Sequence, residues 1–107
     1  MNGAHLDSLG WVYFKLGDYE LAEENLRQAV SRDQSDPTVH DHLGDLYEKK
    51  GQIRLAAAQW EHSLAEYAKS APADVEPGDV AKVQKKLESA RVKLAKQENA
   101  SGTPKPE

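Results

Sequence analysis

The amino-acid sequence predicts an all-α fold: a right-handed solenoid of two antiparallel helix pairs, followed by a C-terminal capping helix. Three observations support this prediction. The sequence repeats itself with a period of 34 residues, each copy carries two apolar stripes at helical spacing, and a further helical stripe outside the repeat follows a linker. A period of this kind is typical of chains that stack helix–turn–helix units side by side.

The internal repeat is seen when residues 7–33 are aligned with residues 41–67. Eight of the 27 aligned positions are identical, whereas usual residue frequencies would give about two by chance. The identical pairs are Asp7 and Asp41, Leu9 and Leu43, Gly10 and Gly44, Tyr13 and Tyr47, Lys15 and Lys49, Gly17 and Gly51, Leu21 and Leu55, and Ala22 and Ala56. We therefore expect residues 3–36 and 37–69 to fold as two copies of one unit.

Each unit is predicted to contain two helices that meet at small residues. Gly17 is expected to end the first helix, because glycine readily adopts the left-handed conformation of a helix C-cap. Gly10 and Ala22 leave room for the two helices to approach closely. In the second unit, Asp36 is a favourable N-cap and Pro37 a favourable first helical residue. The predicted apolar stripes are Leu6, Leu9, Val12, Tyr13 and Leu16, then Tyr19, Leu21, Ala22, Leu26, Ala29 and Val30 in the first unit, and Leu43, Leu46 and Tyr47, then Ile53, Ala56, Trp60 and Leu64 in the second.

This pattern resembles the tetratricopeptide repeat (TPR). The matching residues are Leu9, Gly10, Tyr13, Gly17, Tyr19, Ala22, Leu26 and Ala29 in the first unit, and Leu43, Gly44, Tyr47, Gly51, Ala56 and Trp60 in the second. The resemblance covers residues 3–69, and these segments are also similar to C-terminal repeats of larger bacterial TPR proteins. The family often has a proline near the end of the unit, where this chain has Gln34 and Ala68. We therefore expect the last helix of the second unit to continue past Tyr67.

A change in composition marks the end of the repeats. Residues 70–79 contain two prolines, one glycine and three acidic residues, and we expect a linker over residues 70–76. The stripe that predicts a capping helix over residues 77–98 consists of Val80, Val83, Leu87, Ala90 and Leu94. The lysines expected to form its polar outer face are Lys82, Lys85, Lys86, Lys93 and Lys96. Residues 99–107 contain no large apolar residue and are predicted to be a disordered tail.

The composition argues against several classes of function. The 107 residues include no cysteine, which excludes disulfides, thiolate nucleophiles and cysteine-based zinc sites. His40 and His42 lie two positions apart on a helix, so they point to different faces and cannot hold one metal ion. The sequence shows no nucleophile–base arrangement and no phosphate-binding glycine loop, and we expect neither an enzyme nor a cofactor. The net charge of −4 disfavours nucleic acid, and no apolar stretch approaches the roughly 20 residues of a membrane span.

The TPR resemblance implies where a partner would bind. Ligands of this family usually lie on the concave surface that the first helix of each repeat forms. The corresponding residues here are Asp7, Trp11, Phe14, Lys15, Thr38, Asp41, Asp45, Glu48 and Lys49. Trp11 and Phe14 lie three residues apart and outside the main stripe, so they either anchor a partner or pack against the last helix or a neighbouring repeat. The acidic members favour a ligand with positive or polar character, since the basic clamp that some family members use on acidic C-terminal peptides is absent.

Two interpretations of function follow. The first is a protein–protein interaction scaffold that holds a peptide or partner segment in the concave groove. The alternative is a structural role as the C-terminal, terminating repeats of a longer solenoid. In that case the first helix would expose apolar residues such as Leu6, Tyr13 or Leu16, and the chain would associate as a homodimer. For the basic last helix, a solvated outer face is favoured over contact with nucleic acid or anionic lipid.

Overall fold

The computed structural model describes residues 2–100. Within this range the chain forms five α-helices and no β-strand, so the predicted all-α class is confirmed. The helices are α1 (Gly3–Leu16), α2 (Tyr19–Arg32), α3 (Pro37–Lys49), α4 (Ile53–Lys69) and α5 (Pro77–Ala100), with a short 3-10 helix over Pro72–Asp74. The most extensive contacts join α1 to α2 and α3 to α4, while α2 lies against α3 and α5 packs on α4.

The helix ends follow the local sequence. Gly17 caps α1 in the left-handed conformation, with φ of 83°, and its N–H donates to the Phe14 carbonyl. The Asp36 carboxylate accepts a hydrogen bond of 2.9 Å from the Thr38 N–H, and Pro37 begins α3, as predicted. Helix α4 continues to Lys69, which confirms that the last helix of the second unit runs past Tyr67.

The C-terminal boundary differs from the prediction. Helix α5 begins at Pro77, as expected, but it ends at Ala100, so Asn99 and Ala100 are helical and not part of a disordered tail. The sequence between Pro77 and Gly102 offers only one other glycine and no proline, and nothing there stops the helix at residue 98. Residues 101–107, the rest of the predicted tail, lie outside the described residues.

The main core is formed by buried residues of α2, α3, α4 and α5. Its largest fully buried side chain is Trp60, which packs against Gly44 of α3. The other buried members of this cluster are Ala22, Leu26, Leu43, Leu46, Tyr47, Ile53, Ala56, Ala57, Val83, Leu87 and Ala90. Gly10 faces the Leu26 side chain and Gly44 faces the indole of Trp60, each so closely that a methyl group has no room.

One predicted stripe is only partly buried. In α1, Leu6 is buried, but 53% of Val12 and 74% of Leu16 is exposed to solvent. Helical spacing correctly places these side chains on one side of α1, yet that side faces away from α2 and α3. Among the described residues, no helix lies against this side of α1.

The orientation of α5 also corrects the prediction that its lysines form one polar outer face. Its apolar stripe is buried on α4, with Val83, Leu87 and Ala90 at most 5% exposed. Lys86 and Lys93, however, do not belong to a polar outer face, because both reach across to acidic side chains of α3. The helix is therefore fixed to the second unit by apolar contacts on one side and by ion pairs on the other.

Candidate binding groove

The groove is the side of the molecule where α1, α3 and the beginning of α5 present polar and aromatic side chains. Eight of the nine residues predicted from the TPR resemblance make side-chain contacts with one another or with neighbouring helices there. These eight are Asp7, Trp11, Phe14, Lys15, Thr38, Asp41, Asp45 and Glu48. Lys49 is exposed and forms no bond to any described residue.

An aromatic stack forms the first part of the groove. The Trp11 and Phe14 rings lie 4.7 Å apart at their centroids and are tilted by only 10°. The imidazole of His42, on α3, also stacks on Trp11, with a centroid distance of 4.1 Å. The Lys15 ammonium lies 5.1 Å from the centre of the Trp11 ring, within the range of a cation–π contact. Trp11 is thus half-buried and held by groups from both units.

His42 also fixes Asp7, which makes it the main bridge between α1 and α3. Its Nδ1 lies 2.7 Å from Oδ1 of Asp7, and since a carboxylate can only accept, Nδ1 carries the proton. Both side chains are less than 20% exposed. The sequence analysis excludes a metal ion held by His40 and His42, and it does not predict the contact of His42 with Trp11. The repeat alignment offers no signal for it, because His42 falls opposite Ser8.

Asp41 has a structural role in addition to its place in the groove. Its Oδ1 accepts two hydrogen bonds, one of 3.2 Å from the indole N–H of Trp60 and one of 2.9 Å from the Lys86 ammonium. Trp60 is fully buried, so this carboxylate satisfies a polar group in the centre of the core. Asp41 therefore ties α3 to both α4 and α5.

Asp45 shares the same lysine. The Lys86 ammonium lies 3.0 Å from Oδ1 and 3.2 Å from Oδ2 of Asp45, so one cation serves two carboxylates. Burial raises the pKa of the Asp45 carboxyl above its usual value, and the opposing effect of Lys86 does not fully offset it. For Lys86, burial acts to lower the pKa, but the hydrogen bonds to Asp41 and Asp45 outweigh burial and leave the pKa raised.

A cleft opens between α3 and the first turns of α5. Its volume is about 290 Å³, which is enough for one large side chain of a partner but small for a drug-sized ligand. It is lined by Trp11, Thr38, Asp41, His42, Asp45, Tyr67, Asp79, Lys82 and Lys86. Further along the groove, Lys93 bonds to Glu48 at 3.2 Å and closes the gap between α3 and α5.

The other two histidines of the second unit, His40 and His62, stack on each other with ring centroids 5.2 Å apart. The ring nitrogens of His40 lie 2.8 Å from the side-chain oxygen of Gln59 and 2.8 Å from the carbonyl of Gln34. Within residues 2–100, no three His, Asp or Glu side chains lie close enough together to hold a metal ion. In the same range, no helix has both the length and the apolar character to cross a membrane.

The Lys86 ion pairs predict a loss of stability at high pH. The folded-state pKa of Lys86 is raised, so its contribution to the free energy of unfolding is complete below the unfolded pKa of about 10.4 and is lost as the pH rises through the higher folded value. We expect Lys86→Met to be less stable than the wild type at pH 8 and to lose stability less steeply as the pH rises above about 10.4. Urea denaturation at each pH measures both effects. Lys85→Met is the matched control, because Lys85 is exposed and bonds to no described residue.

Comparisons with known proteins agree with this architecture. Residues 10–51 match a family model described as TPR repeat. A stretch of 49 residues, 46% of this chain, is 39% identical to the Sol locus transcriptional repressor of Clostridium acetobutylicum. This chain spans only 15% of the length of that relative. Among solved structures, the first TPR of Spaghetti (RPAP3), bound to the HSP90 peptide SRMEEVD, is similar in fold, with a TM-score of 0.71 at 20% identity, and the alignment covers 92% of this chain and 72% of that one.

These findings define the fold. It is that of a TPR helical repeat, as in the solved structure, and the match to the TPR repeat model lies within the two repeated units. Because the alignment covers 92% of this chain, it includes most of α5, which lacks the repeat sequence.

Proposed function

We propose that this protein is a protein–protein interaction module that holds a peptide or an extended partner segment in the groove formed by α1, α3 and α5. The observation that carries the proposal is the aromatic stack at the groove. A solvent-accessible Trp11 whose ring is already fixed by Phe14 and His42 loses little conformational entropy when a partner packs on it. Aromatic side chains held in this way are typical anchors of protein interfaces.

The charges that line the cleft favour a partner with polar or positive character. Three carboxylates, of Asp41, Asp45 and Asp79, face two ammonium groups, of Lys82 and Lys86, so the lining carries a net charge of −1. Asp41 and Asp45 share a single cation, and a basic group of the partner would complete their charge balance. The carboxylates cannot attract an acidic segment.

The solved structure with similar fold supports the peptide-binding role but not the same ligand. That protein is described as bound to a peptide, SRMEEVD, which contains two glutamates and one aspartate. In this chain the helices that face the groove carry Asp7, Trp11, Asp41 and Asp45. We infer that the groove is used in the same general way for a segment of different charge.

The proposal is tested by capture of a partner from lysate of the source organism, with Trp11→Ala/Phe14→Ala beside the wild type. We expect the wild type to retain a specific protein and the double variant to lose it by at least about tenfold, as for an interface anchor. Val92→Ala, an exposed residue on α5 away from the stack, is the matched control and should bind as the wild type does. Circular dichroism must show that all three proteins are folded. Equal capture by the wild type and the double variant would refute the groove as the binding site.

A second candidate function, termination of a longer helical array, is favoured by the polar surface beyond α5. A separate depression lies between α4 and α5, where a following helix would pack. Most of the side chains that line it are charged or carry an amide: Glu61, Leu64, Gln84, Leu87, Glu88 and Arg91. Glu61 and Arg91 form an ion pair of 3.7 Å across it. Such a surface is suited to solvent and not to a further repeat. A wild-type protein that is folded but captures no partner would favour this second function.

A further inference from the structure

Two carboxylates of α3 line the cleft between α3 and α5, and they differ in what they already bind. Asp41 is occupied, because one of its oxygens accepts from both the Trp60 indole N–H and the Lys86 ammonium. Asp45 bonds only to Lys86, whose ammonium lies 3.0 and 3.2 Å from its two oxygens. Since a carboxylate can accept about four hydrogen bonds, Asp45 is the member of this pair with acceptor capacity left for a partner.

The charge of Asp45 is only partly compensated in the free protein. Burial raises the pKa of its carboxyl more than Lys86 lowers it, so the ionised side chain opposes folding at neutral pH. Lys82, the other cation of the cleft, is exposed and bonds to no described residue. A carboxylate that destabilises the fold and lines a surface cleft is typical of a binding site, where the ligand supplies the missing cation.

The lining of the cleft selects among cations. Aromatic side chains reach it from two helices, Trp11 of α1 and Tyr67 of α4, and its volume is about 290 Å³. An ammonium is a compact, strongly hydrated charge, and Lys86 already supplies one to Asp45. A guanidinium is planar and weakly hydrated, packs on aromatic rings and donates two parallel hydrogen bonds to a carboxylate. The combination of Asp45 with an aromatic lining therefore favours arginine over lysine.

We propose that the cleft is a subsite for an arginine side chain of the partner, in which the Asp45 carboxylate binds the guanidinium. This proposal rests on the proposed function, since the arginine belongs to the segment that the groove holds. Lys86 stays bonded to Asp41 when the arginine binds. The aromatic stack on Trp11 anchors the segment beside the cleft, so apolar anchoring and the recognition of charge fall on different residues.

A short peptide tests the subsite without knowledge of the natural partner. The probe is a blocked pentapeptide with one arginine between two pairs of alanines, titrated into the full chain at low ionic strength and followed by NMR. One matched peptide carries citrulline, which has the shape of arginine without its charge, and another carries lysine. We expect the arginine peptide to bind at least about tenfold more tightly than the citrulline peptide, with the lysine peptide between them. The amide signals that shift should belong to residues 41–45 and 79–86, which border the cleft.

Variants of the protein assign the binding to Asp45. We expect Asp45→Asn to weaken the arginine peptide by at least about tenfold while circular dichroism shows that it is folded. Glu24→Gln is the matched control, because it removes the same charge from an exposed residue of α2 that bonds to no described residue. Lys86→Met should tighten binding, because it leaves Asp45 without its own cation, whereas Lys85→Met should not. A purely structural role of Asp45 does not produce these opposite effects.

Several results would overturn the proposal. Equal binding of the arginine and citrulline peptides would do so, as would equal losses in Asp45→Asn and Glu24→Gln, which would indicate attraction to net charge alone. A lysine peptide that binds as tightly as the arginine peptide would overturn the choice of a guanidinium.

The proposed function is tested separately, by capture of a partner with Trp11→Ala/Phe14→Ala. A partner that Asp45→Asn retains and this double variant loses would leave the groove function intact and overturn the arginine subsite. Failure of the wild type to capture any partner would count against the groove function, and the peptide titration would still decide whether Asp45 binds a guanidinium.

Discussion

Gly44→Ala is expected to lower the free energy of unfolding by about 2–3 kcal/mol. A methyl group on Gly44 would meet the indole of Trp60, with Cδ1 at 2.6 Å and Cε2 at 2.7 Å, both well inside van der Waals contact. The ring cannot move aside, because Trp60 is fully buried and its N–H is bonded to Asp41. The better helix propensity of alanine offsets only about 1 kcal/mol of this cost.

Urea denaturation followed by circular dichroism measures the effect of Gly44→Ala. The matched control is Gly78→Ala, because Gly78 lies in the first turn of α5 with nothing within 4 Å of the added methyl group. We expect this control to remain within about 0.5 kcal/mol of the wild type. A Gly44→Ala variant as stable as the control would mean that α3 and α4 are not packed as described.

Asp41→Ala is expected to cost about 1–3 kcal/mol, because it removes the acceptor of a buried donor. Asp41 is the acceptor for the buried Trp60 N–H, and Lys86 would keep only Asp45. In the described part of the chain, every buried side-chain nitrogen or oxygen has a hydrogen-bond partner. Asp41→Ala leaves the Trp60 N–H, which is buried in the core, without this hydrogen-bond partner.

The neighbouring carboxylate is expected to behave differently. Burial raises the pKa of Asp45, so its ionised form is less favourable in the folded state than in the unfolded state, and its charge opposes folding at neutral pH. Asp45→Asn removes that charge while keeping an oxygen that can accept from Lys86. We expect its stability to lie within about 0.5 kcal/mol of the wild type or above it.

The comparison of Asp41→Ala with Asp45→Asn in the same urea titration checks both expectations. Asp41→Asn completes the series, because an amide oxygen can still accept from Trp60 and should recover part of the loss. Equal losses for Asp41→Ala and Asp45→Asn would contradict the assignment of Asp41 as the residue that joins α3, α4 and α5.

Much of the fold follows from the sequence because the repeat and the caps are local features. The repeat with a period of 34 residues predicted both helix pairs, and Gly17 and Asp36 indicated where helices end and begin. The exposure of Val12 and Leu16 could not be predicted in the same way. A stripe on a helix shows which residues share a side, but it does not show whether another helix lies there.

The groove was predictable in part. The TPR resemblance placed the acidic and aromatic residues of α1 and α3 on one surface, and the contacts of Trp11 with Phe14 are close to what their spacing of three predicts. The stacking of His42 on Trp11 depends on how α1 and α3 lie side by side, which helical spacing does not determine. The contacts of Lys86 with Asp41 and Asp45 depend on how far α5 is rotated about its own axis. A narrow apolar stripe is compatible with a wide range of rotations, so the sequence does not determine these contacts.

The two tryptophans give this chain separate optical reporters for its core and its groove. Trp60 is fully buried, whereas Trp11 is half-buried and stacked on an imidazole. In Trp11→Phe all indole emission comes from the core and follows global unfolding. The difference between the wild type and this variant isolates the emission of Trp11. Ligand titrations and local motion of the groove can therefore be followed by intrinsic fluorescence, without attaching a label to the protein.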